Sequence, residues 1–455
     1  MVLIFCAEEN PRITWTLDLL LCQLLGLDYR ITSRPDELNS FEGPKISYSD
    51  APMGDIPWIP ASGLLFENGI SDQSHRLNPG TWKGLKTLFH TPGASPSSPL
   101  HISTSSHLHI STIPFDALSA VFYLVSRYEE YLPFKPDEHG RFPSTESLAS
   151  KMEILEEPIV NQWAQVFGDE LENHYGRQIG IKKPAYRFIS TIDVDNAWAY
   201  AHKGWKRTIG GFWNDRKSMV ARNFRFQVLR ENQPDPYDTY DLIERFHREA
   251  GTEPLWFFLL GHYGKYDKNI SPRNCHYQRL IRGISRDGRV GIHPSYHSHA
   301  SPDGVAREAR MLSHILGQPV IRSRQHFLKL RLPATYRALI RAGIREDYSL
   351  GYADKPGFRA GIALPFRFFD LERNKAEDLT VYPFQVMDQT MRQYLDLKPD
   401  EALARVLDLA DKTKKAGGTL ITLWHNESLS EWNEWTGWSE VYRQILKQAA
   451  TPRST

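Results

Sequence analysis

The sequence has few of the features that mark several classes of protein. Its three cysteines, Cys6, Cys22 and Cys275, are too few and too scattered for a disulfide framework or a thiolate metal cluster. Positive and negative charges nearly cancel, with 55 Lys and Arg against 54 Asp and Glu. This balance gives no support for binding nucleic acid or a membrane surface. No segment approaches the ~18 uninterrupted apolar residues that span a bilayer, and the N-terminus lacks the pattern of a secretion signal. We therefore predict a cytoplasmic protein without a membrane span.

What is present is an ordinary globular composition over a length that favours two or three domains. The chain has 455 residues, of which 41% are hydrophobic and 24% charged. Residues 1–180 mix helical and strand-like patterns without a recognisable chemical motif, so we predict a smaller mixed α/β domain of unknown role. Its stretch RYEEYLPFKPDEHGRF is dense in charged and aromatic residues, which favours an exposed helix end and loop.

Residues 181–455 show strand-like runs that alternate with helical ones, from YRFISTIDVD to GTLITLWHN. This alternation predicts parallel βαβ units, and such a succession closes most readily into a (β/α) barrel. The chemistry of these barrels lies at the carboxyl ends of the strands. The predicted fold is therefore an α/β barrel that follows a smaller mixed α/β domain.

Three polar clusters follow predicted strands in this second part. STIDVDNAW places Asp193 and Asp195 one residue apart, so that both carboxylates point the same way. Two such charges raise each other's pKa unless a cation or hydrogen-bond donors are nearby. GIHPSYHSH carries His293 and His297, and LWHN carries His425. Two imidazoles and a carboxylate form a set that suits zinc and related divalent metals.

These motifs resemble those of the polysaccharide deacetylases of the NodB-homology type, carbohydrate esterase family 4, over well over half the chain. The resemblance implies a distorted (β/α) barrel of about seven strands. TIDVD is similar to the motif in which a catalytic base, here Asp193, precedes a metal ligand, here Asp195. HPSYH implies that His293 and His297 complete the metal triad, and LWH implies that His425 is the catalytic acid.

The middle motifs of the family fit this sequence less well. The arginine that orients the base has two candidates, Arg324 in SRQHF and Arg331 in RLP. We favour Arg324, because an arginine at a strand end points at the mouth of a barrel. Asp347 in REDYS is the candidate for the later acidic partner. Arg359 in GFRAG is a candidate for contacting substrate, with an ordinary surface ion pair as the alternative.

Aromatic residues provide further candidates for binding a sugar. Tyr296 and Trp424 lie inside the HPSYH and LWH motifs and are predicted to contact substrate. Trp432, Trp435 and Trp438 are spaced three apart, so they either stack on sugar rings or pack as one face of a helix. Packing in a core is the commoner use of such a stripe.

The resemblance implies a metal-dependent hydrolase that removes N- or O-acetyl groups from a carbohydrate. Zn²⁺ is the expected metal, with Co²⁺, Ni²⁺ and Mn²⁺ as alternatives. Two other functions stay open: a non-catalytic carbohydrate-binding protein on the same fold, and a metal-dependent amidohydrolase acting on a small non-sugar amide. A cytoplasmic location points to a glycan precursor as substrate. The additional N-terminal residues resemble a bacterial branch that carries its own N-terminal α/β domain, and the sequence specifies no oligomeric state.

Overall fold

A computed structural model of the protein describes residues 1–91, 113–176, 179–214, 219–231, 233–287, 289–301 and 303–450. The first part of the chain builds a parallel four-stranded sheet with the order β2-β1-β3-β4. Its strands are β1 (Val2–Cys6), β2 (Tyr29–Thr32), β3 (Lys45–Ser49) and β4 (Trp58–Pro60). The apolar run VLIFC forms β1, which is almost entirely buried, as expected for a central parallel strand.

Helices and one hairpin complete this part of the chain. The hairpin strands are β5 (Gly80–Trp82) and β6 (Leu85–Thr87). The helices are α1 (Pro11–Leu17), α2 (Pro35–Ser40), α3 (Ala117–Val125), α4 (Leu148–Lys151) and α5 (Ile159–Tyr175). The side chain of Asn10 caps α1 by accepting hydrogen bonds from the backbone amides of Arg12 and Ile13.

The second part builds a nine-stranded sheet with the order β12-β13-β11-β10-β9-β8-β7-β15-β14, in which only β12 and β13 pair antiparallel among the described strands. Its strands are β7 (Arg187–Val194), β8 (Leu255–Leu259), β9 (Arg289–His293), β10 (Arg322–Ser323), β11 (Glu346–Asp347), β12 (Phe366–Asp370), β13 (Lys375–Val381), β14 (Val386–Met387) and β15 (Thr419–His425). Its helices are α6 (Trp205–Asn214), α7 (Met219–Arg230), α8 (Tyr240–Ala250), α9 (Cys275–Asp287), α10 (Gly304–Leu316), α11 (Ala334–Arg341), α12 (Pro399–Ala416) and α13 (Trp438–Ala449). The mixed α/β class predicted from the alternating pattern is confirmed.

One segment joins the two sides of this sheet. Strand β13 pairs with β11, where Thr380 lies opposite Glu346. After residues 382–385 the same segment forms β14, which pairs with β15 on the far side, where Val386 lies opposite Thr422. The strand order nevertheless begins at β12 and ends at β14. A closed barrel of about seven strands is therefore not confirmed, although one continuous segment connects the sides that closure would bring together.

The inner face of the sheet has an apolar cluster of its own, to which β8 and β15 contribute alternate residues because side chains alternate along a strand. Its buried members are Leu255, Phe257, Leu328, Tyr348, Ala353, Phe384, Met387, Ile421 and Leu423. On β15, the residue that continues this alternation after Leu423 is His425. Polar groups at the carboxyl ends of the strands therefore lie directly beyond an apolar floor.

The main core is shared by the two predicted domains. One cluster of buried apolar residues contains members from both sides of residue 180. Asn161 adds polar contacts, since its side chain donates to the carbonyl of Gly417 and accepts from the amide of Ala363. The division at residue 180 stays a prediction. In the described part of the chain, no helix has both the length and the apolar character needed to cross a membrane.

The stretch RYEEYL does not form the exposed helix end predicted from its charges. Arg127, Glu129 and Glu130 are buried, and Arg127 donates hydrogen bonds to both carboxylates, each at 2.7 Å. Arg359 donates to the two oxygens of Glu130 at 2.9 and 2.7 Å. Because Arg359 is only 2% exposed and is engaged in this network, the structure corrects the prediction that it contacts substrate or forms a surface ion pair.

Candidate metal centre

Four of the predicted site residues meet at one edge of the large sheet. His425 at the end of β15 lies opposite Asp193 on β7, and His293 at the end of β9 lies opposite Leu259 on β8. Strands β15, β7, β8 and β9 are consecutive neighbours and run parallel, so their carboxyl ends share this edge. The structure brings Asp193, Asp195, His293 and His425 together at this edge, where the strand-end rule expects them.

The side chains of Asp195, His293 and His326 each present a ligand atom, and these three atoms lie within 4.8 Å of one another. His293 Nε2 is 3.1 Å from Asp195 Oδ1, and His326 Nε2 is 3.2 Å from Asp195 Oδ2. The other ring nitrogens are already engaged: His293 Nδ1 lies 2.5 Å from the carbonyl oxygen of Arg324, and His326 Nδ1 lies 2.8 Å from Asp267 Oδ1. Because each Nδ1 is engaged by an oxygen atom, Nε2 is in both residues the nitrogen that faces Asp195, and it becomes a ligand atom once it carries no proton.

This donor set fits a divalent cation. Asp195 Oδ1 is buried, and its only close polar neighbour among the described residues is His293 Nε2, so the carboxylate needs a positive charge beside it. Burial raises the pKa of Asp195, but the imidazoles of His326 and His293 outweigh this effect and hold the pKa well below its usual range. Two imidazole nitrogens and one carboxylate oxygen are the ligands of many catalytic zinc sites, which keep a coordination position open for water or substrate.

The structure replaces one member of the predicted triad. His297 is exposed and does not belong to the group of three ligand atoms. After β9 the chain is held by Ser295, whose amide and hydroxyl donate to Glu308, and by Tyr296, whose amide donates to Asp267 at 2.9 Å. The turn that follows carries His297 toward solvent. His326 instead presents the third potential ligand atom beside Asp195 and His293.

Arg324 is the arginine that lies beside Asp193. Its guanidinium is fully buried, with Nη1 at 3.4 Å from Asp193 Oδ1 and 2.7 Å from Thr191 Oγ1. Its Nε donates to the carbonyl of Tyr348 at 2.9 Å, which fixes the orientation of the group. Arg331 is exposed. The geometry therefore favours Arg324 over Arg331, as the strand-end argument did.

The acidic partner of His425 is Asp388. His425 Nδ1 is 2.9 Å from Asp388 Oδ1, and the amide of His425 donates to Asp388 Oδ2 at 2.8 Å. The hydroxyl of Ser428 also donates to Asp388. Burial lowers the pKa of His425, but Asp388 outweighs burial and raises the pKa to about 10. His425 is thus an imidazolium at neutral pH, and its Nε2, 3.7 Å from Asp195 Oδ2, faces the site.

Asp347, the residue predicted as the later acidic partner, is not among the described residues that line the cavity of the metal centre. Its carboxylate accepts hydrogen bonds from the hydroxyls of Ser323 and Ser349, both at 2.8 Å, and from the amide of Ser349 at 3.0 Å. Burial raises the pKa of Asp347. These contacts hold the turn after β11 in place, and the structure corrects the assignment of Asp347 as the acidic partner.

The metal centre opens into a cavity of about 180 Å³. Besides the site residues, its walls are formed by Arg141, Gln325, Phe327, Leu328, Ala353, Met387, Gln389, Gln393, Tyr394 and Leu423. Arg141 comes from the predicted N-terminal domain and donates to Asp137 at 2.6 Å and to the carbonyl of Phe327 at 2.9 Å. The N-terminal part of the chain therefore contributes directly to the wall of the site.

The aromatic candidates for substrate contact are not among the described residues that line this cavity. The ring of Tyr296 lies against Tyr266, with centroids 4.2 Å apart, and under the ammonium group of Lys329. Trp424 is fully buried and packs against Tyr442 on the outer side of β15. The structure thus corrects the assignment of Trp424 to substrate binding, because its ring belongs to the core.

The three tryptophans of the predicted stripe all pack against other aromatic side chains. Trp435 and Trp438 are buried and their rings contact each other, with centroids 5.5 Å apart. Trp432 stacks on Phe224 at 5.5 Å. These contacts agree with the packing alternative rather than with stacking on a sugar.

Metal binding is expected to depend on pH through His326. Burial lowers the pKa of His326, but Asp195 and Asp267 outweigh burial and raise it to about 9 in the metal-free protein. A metal must displace that proton, so affinity for Zn²⁺ should rise by up to about tenfold per pH unit below the pKa. Chelator competition between about pH 6 and pH 8, with calorimetry in buffers of different ionisation enthalpy to count released protons, measures this dependence. A zinc affinity that does not change with pH would contradict this prediction.

Comparisons with known proteins give one family model and several structures. Residues 2–176 match the model of a family of unknown function, DUF7033. No curated protein matches the chain. A structure described as a polysaccharide deacetylase from Mycobacterium smegmatis is 14% identical, with a TM-score of 0.39, and the match covers 58% of this chain and 84% of that one. The structure of the Puue allantoinase is 12% identical, with a TM-score of 0.37, and the match covers 57% of this chain and 84% of that one. The structure of a family 4 carbohydrate esterase from Streptomyces lividans, in complex with acetate, is 10% identical, with a TM-score of 0.28, and the match covers 58% of this chain and 85% of that one. The candidate ligands Asp195, His293 and His326 lie outside the residues that the family model matches, whereas Arg141 lies inside them.

Proposed function

We propose that this protein is a metal-dependent hydrolase that removes an acetyl group from a carbohydrate. The observation that carries the proposal is the convergence of three units on one cavity: the ligand set of Asp195, His293 and His326, the Asp193–Arg324 pair, and the His425–Asp388 pair. A ligand set, a carboxylate base and an imidazolium acid within one small volume are the parts that hydrolysis of an amide or ester requires.

Asp195, His293 and His326 would hold the metal, most suitably Zn²⁺. A bound Zn²⁺ supplies Lewis-acid polarisation of a carbonyl group and lowers the pKa of water toward about 7. Asp193 is the base that accepts a proton from the attacking water. Arg324 positions Asp193, because its guanidinium is fixed by the carbonyl of Tyr348.

His425 is the acid that protonates the departing amine or alcohol. Asp388 engages Nδ1, so the proton on Nε2 is the one directed into the site. The raised pKa of His425 keeps that proton in place at neutral pH. Apolar side chains on the floor of the cavity, including Leu423 and Met387, limit the water around the reacting groups and so strengthen these electrostatic interactions.

An acetylated sugar is the substrate class that the sequence motifs support. TIDVD and LWH supply the base, one ligand and the acid of polysaccharide deacetylases, and HPSYH supplies a further ligand. The expected outcome is release of acetate from an N- or O-acetylated sugar by the Zn²⁺-loaded protein.

Asp193→Asn tests the reaction separately from metal binding. The substitution keeps the shape of the side chain but removes the base, so acetate release should fall by roughly 10²–10⁴-fold. The bound metal should remain, because Asp193 is not one of the three ligands. Metal content is measured by mass spectrometry and acetate by an enzymatic assay, on wild type and variant. Equal acetate release by both proteins, or wild-type protein that binds no metal, would overturn the proposal.

A small non-sugar amide is a second candidate substrate, favoured by the size of the cavity. Its volume of about 180 Å³ is below the range of about 300–1,000 Å³ that is usual for pockets enclosing a drug-sized ligand. The same assay separates the candidates when a panel of small amides accompanies the acetylated sugars. Sugar binding without turnover of either class would instead support the non-catalytic alternative.

A further inference from the structure

A strongly basic groove lies beside the metal centre. It consists of two adjoining cavities of about 450 and 360 Å³, which share Lys203, Arg207 and Tyr263. The cations along it, which we call the cationic groove, are Lys203, Arg207, Arg225, Lys268 and Arg273. Among the described residues that line these cavities there is no aspartate or glutamate. Because the whole chain has a net charge of only +1, this concentration of positive charge is a local feature.

The chain connects the cationic groove directly to the metal centre at two points. Asn196 lines the groove and follows the ligand Asp195. Lys268 lines it and follows Asp267, the carboxylate that engages His326. Consecutive Cα atoms lie about 3.8 Å apart, so the groove begins within one residue of the metal-holding side chains. Among the described residues the groove and the cavity of the metal centre share no lining residue, but the backbone brings them within one residue of each other at both points.

Two of these cations, Arg207 and Lys268, are held in place before any ligand binds. Arg207 donates to the carbonyls of Asn269 and Lys268, both at 2.9 Å, and its guanidinium lies 4.2 Å from the centre of the Tyr263 ring. The ammonium group of Lys268 lies 5.0 Å from the centre of the same ring. Arg207 keeps further N–H groups for a ligand, because a guanidinium has five. Such preorganised donors lose little conformational freedom on binding an anion.

The positive charges oppose one another in the absence of an anion. Burial and the neighbouring Arg207 lower the pKa of Lys203 to about 8, although Asp235 opposes this shift. Repulsion among buried or half-buried cations is relieved when an oxyanion binds between them. Phosphate oxygens are the acceptors that arginine and lysine pair with most effectively, arginine through two parallel hydrogen bonds.

We propose that the cationic groove binds the phosphate groups of the substrate, so that the sugar is delivered as a phosphate or diphosphate ester with its acetyl group at the metal centre. This inference rests on the proposed function and names its substrate class. The diphosphate can come from a nucleoside diphosphate sugar or from a lipid diphosphate sugar, which share the chemistry that the groove recognises.

The test compares ligands that differ only in phosphate. N-acetylglucosamine, its 1-phosphate, uridine diphosphate N-acetylglucosamine and a short polyprenyl diphosphate N-acetylglucosamine are titrated into Zn²⁺-loaded protein by calorimetry at low salt. We expect at least one diphosphate ligand to bind at least about tenfold more tightly than the neutral sugar, and the preference to weaken as salt screens the charges. The nucleotide and lipid arms identify the source of the diphosphate.

Matched variants locate the binding. Lys268→Glu/Arg273→Glu reverses two exposed charges of the groove and should remove the preference for phosphate. Arg310→Glu, an exposed arginine on α10 that does not line the groove, should retain it. Equal binding of neutral and phosphorylated sugars, or an unchanged preference in the double variant, overturns the inference.

The same experiment distinguishes this inference from the proposed function. Binding of a diphosphate sugar that depends on the cationic groove, without acetate release, would support phosphate binding by the groove and overturn the proposed hydrolase function. Acetate release from neutral sugars, with no preference for phosphorylated ones, would support the proposed hydrolase function and overturn phosphate binding by the groove.

Discussion

His326→Ala should remove the bound metal and with it acetate release, whereas His297→Ala should change neither. His326 Nε2 is one of three ligand atoms within 4.8 Å of one another, and His297 lies outside this group. Loss of a partner that only orients a ligand typically costs about 10–100-fold in metal affinity, so loss of a ligand itself should cost at least about 100-fold. Zinc affinity by chelator competition and metal content after dialysis measure the difference.

These two substitutions form a matched pair, because both remove an imidazole from the same neighbourhood. His297 is exposed, so its replacement should not disturb folding. His326 is buried, and circular dichroism of the metal-free variant must show that the fold persists. A His326→Ala variant that is folded and retains wild-type zinc affinity would contradict the assignment. Loss of zinc in His297→Ala alone would restore the triad predicted from HPSYH.

Much of the candidate site could be predicted from the sequence, because one rule applies to its long strands. Strand β7 carries Asp193 next to its last residue, Val194, and β15 ends at His425, so the strand-end rule assigns both side chains to the same edge of the sheet. Arg324 was preferred over Arg331 on the same ground. The common placement of Asp193 and His425 follows from local periodicity and the shared direction of parallel strands, whereas their roles and the two candidate arginines follow from the resemblance to polysaccharide deacetylases.

The missed residues belong to strands too short to show periodicity. Strand β10 has two residues, as does β14. His326 lies two residues after Arg324, and this spacing beyond a strand end was the signal that could have identified it. Asp388 directly follows β14, whose existence depends on pairing with β15. HPSYH favoured His297 because the motif considers only residues near in sequence, whereas the hydrogen bonds of Ser295 and Tyr296 direct the turn away from the metal.

The burial of the charged residues in RYEEYL could not be predicted from the sequence either. A run such as RYEEYL is usually solvated, since burying charges is costly unless each finds a partner. Here the partner of Glu130 is Arg359, which is 229 positions away. No local pattern indicates a pairing over that separation. The same contact ties the N-terminal part to residues beside the inner cluster, because Arg359 also donates to the carbonyl of Gly351 at 2.8 Å.

Glu130→Ala should destabilise the protein by about 3–5 kcal/mol, since removing one member of a buried ion-pair network leaves charges unpaired in the core. Glu130 accepts hydrogen bonds from Arg127 at 2.7 Å and from Arg359 at 2.9 and 2.7 Å, and all three side chains are buried. After the substitution, Arg127 would keep Glu129 as its carboxylate partner, whereas Arg359 would lose the carboxylate that it binds. The free energy of unfolding is measured by urea denaturation monitored by tryptophan fluorescence.

Asp408→Ala is the control, because it removes an exposed carboxylate that pairs with Lys412 within helix α12 at 3.1 Å. Such a pair contributes less than about 1 kcal/mol. The two variants should also differ with pH. Burial raises the pKa of Glu130, but Arg359 and Arg127 outweigh burial and hold it below its usual value of 4.5. The ionised carboxylate therefore contributes stability above that value, and this contribution is lost as the pH falls through the lowered pKa. The stability difference between wild type and Glu130→Ala should shrink in acid, whereas equal destabilisation by both variants at neutral pH would show that the network is dispensable.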